Sequence, residues 1–150
     1  MAKKPNNINH IGRLVRNIYI AVTDESHKVL RQEGYSDLDG SYSIIFQHIG
    51  TGARATDIAV KARTSKQNVK YLLEVLEKKG LVRRKQDAKD GRAWIFELTG
   101  KGHDYRNAGL RVIAALEKKW AEAIGETRYF QLIKNLEVLN TYIIEQNGTA

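Results

Sequence analysis

The sequence predicts a mainly α-helical chain with a small β wing of two or three strands and long helices at both ends. Three observations predict it. Apolar residues recur at three-and-four spacing over most of the 150 residues, two short helical stretches joined by a tight connection lie in the middle, and a pair of strand-like runs follows them.

The first helix is read from Ile8, Ile11, Leu14, Val15, Ile18, Tyr19 and Val22, continuing to Val29 and Leu30 and stopping near Gly34. A second helical segment, Leu38 through Ile49, carries Tyr42, Ile45, Phe46 and Ile49 on one side and ends at Gly50-Thr51-Gly52. Thr56 is expected to cap a third helix bearing Ile58, Ala59 and Ala62. Ser65 is expected to cap a fourth, bearing Val69, Leu72, Leu73 and Leu76. Lys78 and Lys79 suit the negative end of that helix dipole, and Gly80 suits the left-handed position just past it. Leu81–Lys85 and Ala93–Leu98 read as a strand and its return, with the polar stretch Gln86 to Arg92 as a protruding loop. Thr99 is expected to cap a helix running to about Ile124, where Gly125 breaks it. A last helix carries Phe130, Ile133, Leu136, Leu139 and Ile143. Two short helices with a tight turn followed by a ribbon describe a winged helix-turn-helix.

Composition narrows the function classes. The 42% hydrophobic content is a globular level, and 150 residues suit one integrated domain. No apolar run is longer than that from Ile18 to Val22, far below the roughly 18 residues a membrane span needs. Lys3 and Lys4 resemble the start of a signal peptide, but no apolar core or small-residue cleavage site follows them. With zero cysteines there is no disulfide, thiol nucleophile, Cys-ligated zinc or thiol switch. The expected location is the cytoplasm.

Charge is concentrated. Residues 51–92 hold 12 basic and 5 acidic side chains, net +7 of the total +8, whereas residues 1–50 are net +1 and residues 93–150 are neutral. A polyanion engaging the centre is the natural partner, because phosphate neutralisation releases counterions. The plain alternative is a solvated surface that keeps the protein soluble.

The stretch Ala55 to Gly102 resembles the winged helix-turn-helix of MarR-type transcriptional regulators. The resemblance rests on Ile58-Ala59, Ser65, Leu76-Glu77-Lys78-Lys79-Gly80-Leu81-Val82-Arg83-Arg84, Asp90-Gly91-Arg92 and Leu98-Thr99-Gly100-Lys101-Gly102. Two positions depart from the family pattern: Arg63 stands where a turn glycine is frequent, and the wing lacks its frequent proline. The resemblance implies a regulator, most often a repressor, controlled by a small, often aromatic or phenolic ligand lodged between dimer helices and winged domain. It also implies a wing-tip arginine, here Arg92, in the minor groove, held with help from Asp90.

From the residues themselves, the N-terminal part of the fourth helix offers Ser65, Lys66, Gln67, Asn68, Lys70 and Tyr71 to a major groove. Asn68 and Gln67 suit adenine, Lys66 and Lys70 suit guanine or phosphate, and Tyr71 reads either as contact or as core. Arg84, Lys85, Lys89, Asp90 and Arg92 form the wing set. Arg54 and Thr56 sit at a helix start, where backbone amides meet phosphate. Tyr19, Tyr42 and Phe46 are the pocket candidates and read equally well as core. Residues 1–35 and 100–150 are expected to form a helical homodimerisation region around a DNA-binding domain at 36–99. Two copies would then read an inverted repeat in double-stranded DNA.

Gly50-Thr51-Gly52-Ala53-Arg54-Ala55 fits a loose dinucleotide fingerprint, but that needs a strand ending at Glu74, where the periodicity is helical. No catalytic motif is present, so neither enzyme activity nor a cofactor is expected. His10, His27, His48 and His103 contain no i, i+4 pair, so no metal site is expected from their spacing, and one assembled from distant helices stays open. The runner-up is a sequence-independent nucleic-acid-binding or architectural protein.

Overall fold

The computed structural model describes residues 10–35 and 37–148. The chain forms two compact units, residues 1–112 and 113–150. Ile8, where the first helix was expected to begin, lies outside the described residues.

In the first unit, α1 (His10–Gln32) is followed by a 3-10 turn (Gly40–Tyr42), α2 (Ser43–His48), α3 (Ala55–Ala62), α4 (Lys66–Lys78), β1 (Val82–Gln86), β2 (Trp94–Leu98) and the first half of α5 (Gly100–Ile124). The strands form one antiparallel pair in which Val82 faces Leu98 and Gln86 faces Trp94. A third, single-residue rung is added by Ala53, whose N–H and C=O both pair with Phe96 at 2.9 Å. Its neighbour Gly52 has φ +144, and a Cβ there would lie 3.1 Å from the Ile95 side chain.

The expected helix Leu38–Ile49 is shorter than its periodicity suggests. Asp39 is extended, and its carboxylate accepts the Ser41 N–H at 2.8 Å, so the chain enters through a 3-10 turn and Leu38 stays outside the helix. A second correction concerns α3. Arg54 occupies its N-cap position without a side-chain cap bond, and Thr56 is its second residue.

The helix ends that position α4 follow local chemistry. Ser65 is extended, and its Oγ accepts the Asn68 N–H at 3.0 Å. Beyond the last turn Gly80 is left-handed (φ +71). Gly80 N–H donates to Glu77 O and Leu81 N–H to Leu76 O, the paired bonds of a Schellman ending. Thr99 closes the next junction, its Oγ1 donating to Gly80 O at 2.6 Å and accepting the Gly102 N–H at 3.1 Å.

One core binds these elements. Ile45 and Ile49, Ile58 from α3, Val69, Leu73 and Leu76 from α4, and Leu81 all have 0% exposure, and Leu30 from α1 and Tyr105 and Ala108 from α5 join them. Tyr105 stacks on Phe46 (centroids 5.0 Å apart) and meets Tyr35 edge-on at 5.8 Å.

The second unit holds the rest of α5 and α6 (Glu126–Gly148), separated by Gly125 at φ +95. None of the described side chains of α6 is buried, and Phe130, Val138, Tyr142 and Ile144 are more than half exposed. No helix among the described residues is long and apolar enough to cross a membrane.

Candidate nucleic-acid interface

The turn between α3 and α4 is tight because Arg63 adopts a left-handed conformation (φ +50), the one positive-φ residue other than glycine among those described. Its N–H donates to Val60 O, and the Thr64 N–H donates to Ala59 O. The turn glycine missing from the sequence is thus replaced by a residue in glycine's conformation, at an intrinsic cost of about 1 kcal/mol.

This turn starts α4 so that Val69, Leu72, Leu73 and Leu76 point into the core, while Ser65, Lys66, Gln67, Asn68, Lys70 and Tyr71 are exposed. Tyr71 is 60% exposed, so its aromatic ring belongs to the surface rather than the core. Asn68 carries two bonds: its N–H goes to Ser65 Oγ, and its Nδ2 donates to Thr64 Oγ1 at 3.2 Å. No ion pair among the described residues engages Lys66 or Lys70.

The wing residues divide into two groups. Those on β1 are already paired. Arg83 and Lys85 both reach Glu97 at 2.7 Å across the ribbon, and Arg84 meets Glu77 of α4 at 3.2 Å while lying 5.5 Å over the Trp94 ring. The two cations hold the Glu97 carboxyl below its ordinary pKa. Those in the loop, Lys89 and Arg92, are exposed, and no side-chain partner holds them among the described residues.

The loop is shaped by its acids. Asp87 accepts the Lys89 N–H at 2.9 Å and Asp90 accepts the Arg92 N–H at 3.1 Å, each across two residues. Asp90 therefore fixes the Arg92 backbone and leaves the guanidinium outside the loop. Asp87 also takes the Arg54 guanidinium through Nε at 2.9 Å and through Nη2, and Asp90 stands 3.9 Å from Arg54 Nη1. Arg54 thus ties the start of α3 to the wing loop. Thr56 is exposed.

The sequence reading named Arg54 and Asp90 but missed Asp87, the acid that receives Arg54 across 33 residues. Its one local signal is its place two residues before Lys89, a spacing at which aspartate closes turns. It also missed the pair His27 Nε2–Asp37 at 2.7 Å, which links α1 to the segment before the 3-10 turn.

The aromatic candidates differ in their surroundings. Phe46 is half-buried against Tyr105, half-buried Tyr42 lies beside Tyr71, and Tyr19 is half exposed on α1. Burial, with Tyr71 and Asp39 nearby, raises the Tyr42 hydroxyl's pKa. Glu74 of the dinucleotide-like spacing lies within α4, and no group of three or more metal-ligating side chains forms among the described residues.

Comparison with known proteins identifies the module. The description "MarR family" belongs to a family model that matches residues 36–93. Residues 36–93 are thus similar in sequence to the MarR family. The sequence resemblance to MarR-type regulators is borne out, and so is the expected helical fold with a small wing. Solved structures share the fold beyond the matched module. FabT of Streptococcus pneumoniae, solved in complex with DNA, is 19% identical with a TM-score of 0.75, over 93% of this chain and 99% of that one. The S. aureus MepR–DNA complex is 21% identical with a TM-score of 0.67, over 91% and 98%. Transcriptional regulator Tm0710 of Thermotoga maritima is 24% identical with a TM-score of 0.62, over 95% and 99%. No curated protein matches the sequence.

Proposed function

We propose that this protein is a sequence-specific, double-stranded-DNA-binding transcriptional regulator, acting in the cytoplasm as a homodimeric repressor on an inverted repeat. The observation that carries the reading is the exposed N-terminal face of α4, with unpaired Lys66 and Lys70 and two carboxamides, in the same net +7 segment as a wing loop with free Lys89 and Arg92. Such a helix suits a major groove, and a loop arginine suits the enhanced negative potential of a narrow minor groove. The similarity to the MarR family and the DNA-bound FabT and MepR folds support it. Ser65, Gln67, Asn68 and Tyr71 would face bases, and Lys66, Lys70 and Lys89 phosphates. Arg84, Lys85 and Asp90 would shape the wing that delivers Arg92. Thr56 and Arg54 would stand near the backbone at the start of α3.

The homodimer, with dimerisation regions at 1–35 and 100–150 flanking a DNA-binding domain at 36–99, is supported by apolar surface in each unit. On α1, Ile11, Leu14, Val15, Ile18 and Tyr19 are 45–56% exposed, and α6 exposes a comparable set. An aromatic or phenolic effector near Tyr19, Tyr42 and Phe46 would release DNA by favouring dimers with the wrong helix spacing. Its test is addition of phenolic compounds to the protein–DNA complex, where unchanged affinity at saturation excludes those compounds.

The test of the main reading is fluorescence anisotropy on duplexes tiling the DNA upstream of the protein's own gene, with scrambled controls, at two salt concentrations and with Arg92→Ala in parallel. The expected result is one site bound about 10³-fold or more above scrambled DNA and weakened by the substitution. Equal, salt-sensitive binding to duplexes selected from the whole genome and to scrambled DNA would instead identify a sequence-independent binder.

A further inference from the structure

We infer that Thr64 is a positioning residue for base recognition, its hydroxyl presetting the Asn68 carboxamide to read an adenine. The inference deepens the DNA-binding reading and rests on it.

Asn68 is in the first turn of α4, where a recognition helix meets base edges. Its backbone is fixed by Ser65 Oγ at 3.0 Å, and its side chain is fixed separately, with Nδ2 donating to Thr64 Oγ1 at 3.2 Å. A carboxamide has two N–H donors and one carbonyl acceptor. Thr64 takes one N–H, which leaves one N–H and Oδ1 for a partner. That remaining pair is what adenine requires in the major groove, a donor to N7 and an acceptor for the N6 amino group.

Thr64 is itself well placed to hold this geometry. It is partly buried, its N–H donates to Ala59 O at 3.1 Å, and it follows Arg63, whose left-handed backbone sets the turn. An exposed asparagine normally loses side-chain freedom when it engages a base. Here that ordering is made in the free protein, so binding does not bear it again. In this arrangement the turn residue touches no base and still contributes to specificity.

The experiment begins with selection from a pool of randomised 30-base-pair duplexes by the wild-type protein. Wild type, Asn68→Ala, Thr64→Val, Thr64→Ala and Thr64→Ser are then compared on the selected duplex and on each single-base-pair variant of it, at fixed salt, with thermal melts of every protein. Asn68→Ala is expected to lose about 5- to 100-fold of preference at one A·T pair. Thr64→Val is expected to lose about fivefold at that same pair, a side-chain ordering effect, with affinity for duplexes altered there unchanged. Thr64→Ser, which keeps the hydroxyl, is expected to retain the preference. Thr64→Ala keeps the comparison intact if the valine variant fails to fold.

Wild-type preference at that pair in Thr64→Val and Thr64→Ala, equal weakening on all duplexes, or loss in Thr64→Ser would each overturn the inference. A selected sequence whose preferences ignore Asn68→Ala would also overturn it while leaving the DNA-binding reading standing. Failure to enrich any sequence would defeat the sequence-specific reading itself.

Discussion

Arg54, at the N-cap of α3, and Asp87, at the base of the wing loop, are joined by a two-point contact across 33 residues of chain. Asp87 is only 12% exposed, whereas Arg54 is 36% exposed, so the carboxylate is the sheltered partner. The pair connects the helix-turn-helix to the loop that carries Arg92, and it opposes two expectations for Arg54. A free phosphate-binding arginine would gain from deletion of a nearby acid. An arginine that braces the wing would lose.

Asp87→Ala is therefore expected to weaken DNA binding even though it removes a negative charge, and Arg54→Ala is expected to weaken it similarly. The double variant should be little worse than either single variant, because each removes the same contact. Anisotropy at fixed salt measures this. Tighter binding by Asp87→Ala would assign Arg54 to phosphate instead.

How far the sequence foretold this site depends on the range of each interaction. Ser65 as the α4 cap, Gly80 beyond its end, Thr99 at the start of α5 and Gly125 after it were all legible, because caps act over three or four residues. The strands were legible to within one residue, since alternation and turn residues locate them. Arg54–Asp87 and His27–Asp37 were not, because nothing in a single sequence says which charges a tertiary fold will bring together. The start of α2 failed for a different reason. Its apolar spacing continues through Leu38, but the Asp39 side chain offers the backbone a competing bond.

Arg63→Gly is expected to stabilise the fold. The residue sits at φ +50, where the absent Cβ of glycine removes the steric cost that arginine bears. Part of the gain is lost to the greater freedom of glycine in the unfolded chain, leaving about 0.5 kcal/mol or less. Urea denaturation would show a higher midpoint at unchanged slope. A lower midpoint would mean that the arginine side chain contributes more than its backbone strain removes.

Gly102→Ala is expected to do the opposite. A Cβ there would lie 2.0 Å from the Leu81 carbonyl oxygen and 3.0 Å from its carbon, against backbone that is itself fixed by the Thr99 N–H at 3.0 Å. Relief requires moving the start of α5 away from the start of the wing. The expected cost is about 2 kcal/mol or more, read from the denaturation midpoint. A neutral result would show that this junction is looser than its geometry.

Acid should loosen the wing before it unfolds the core. Asp87 is held below its ordinary value of 3.8 by the Lys89 N–H first and by Arg54 next, and Glu97 below 4.5 by Lys85 and Arg83. For a depressed carboxyl, the folded state binds its proton less readily than the unfolded chain. Its contribution is complete above the unfolded-state value and is lost as pH falls through the lower folded-state value. Stability should thus be insensitive to these groups above about pH 5 and decline below about pH 4. Melting temperatures across that window, for wild type and Glu97→Gln, give the check. The glutamine variant should be the less stable at pH 7, with the difference shrinking as acid protonates the wild-type carboxylate. A constant difference down to the lowest pH would show that the Arg83 and Lys85 contacts contribute nothing through charge.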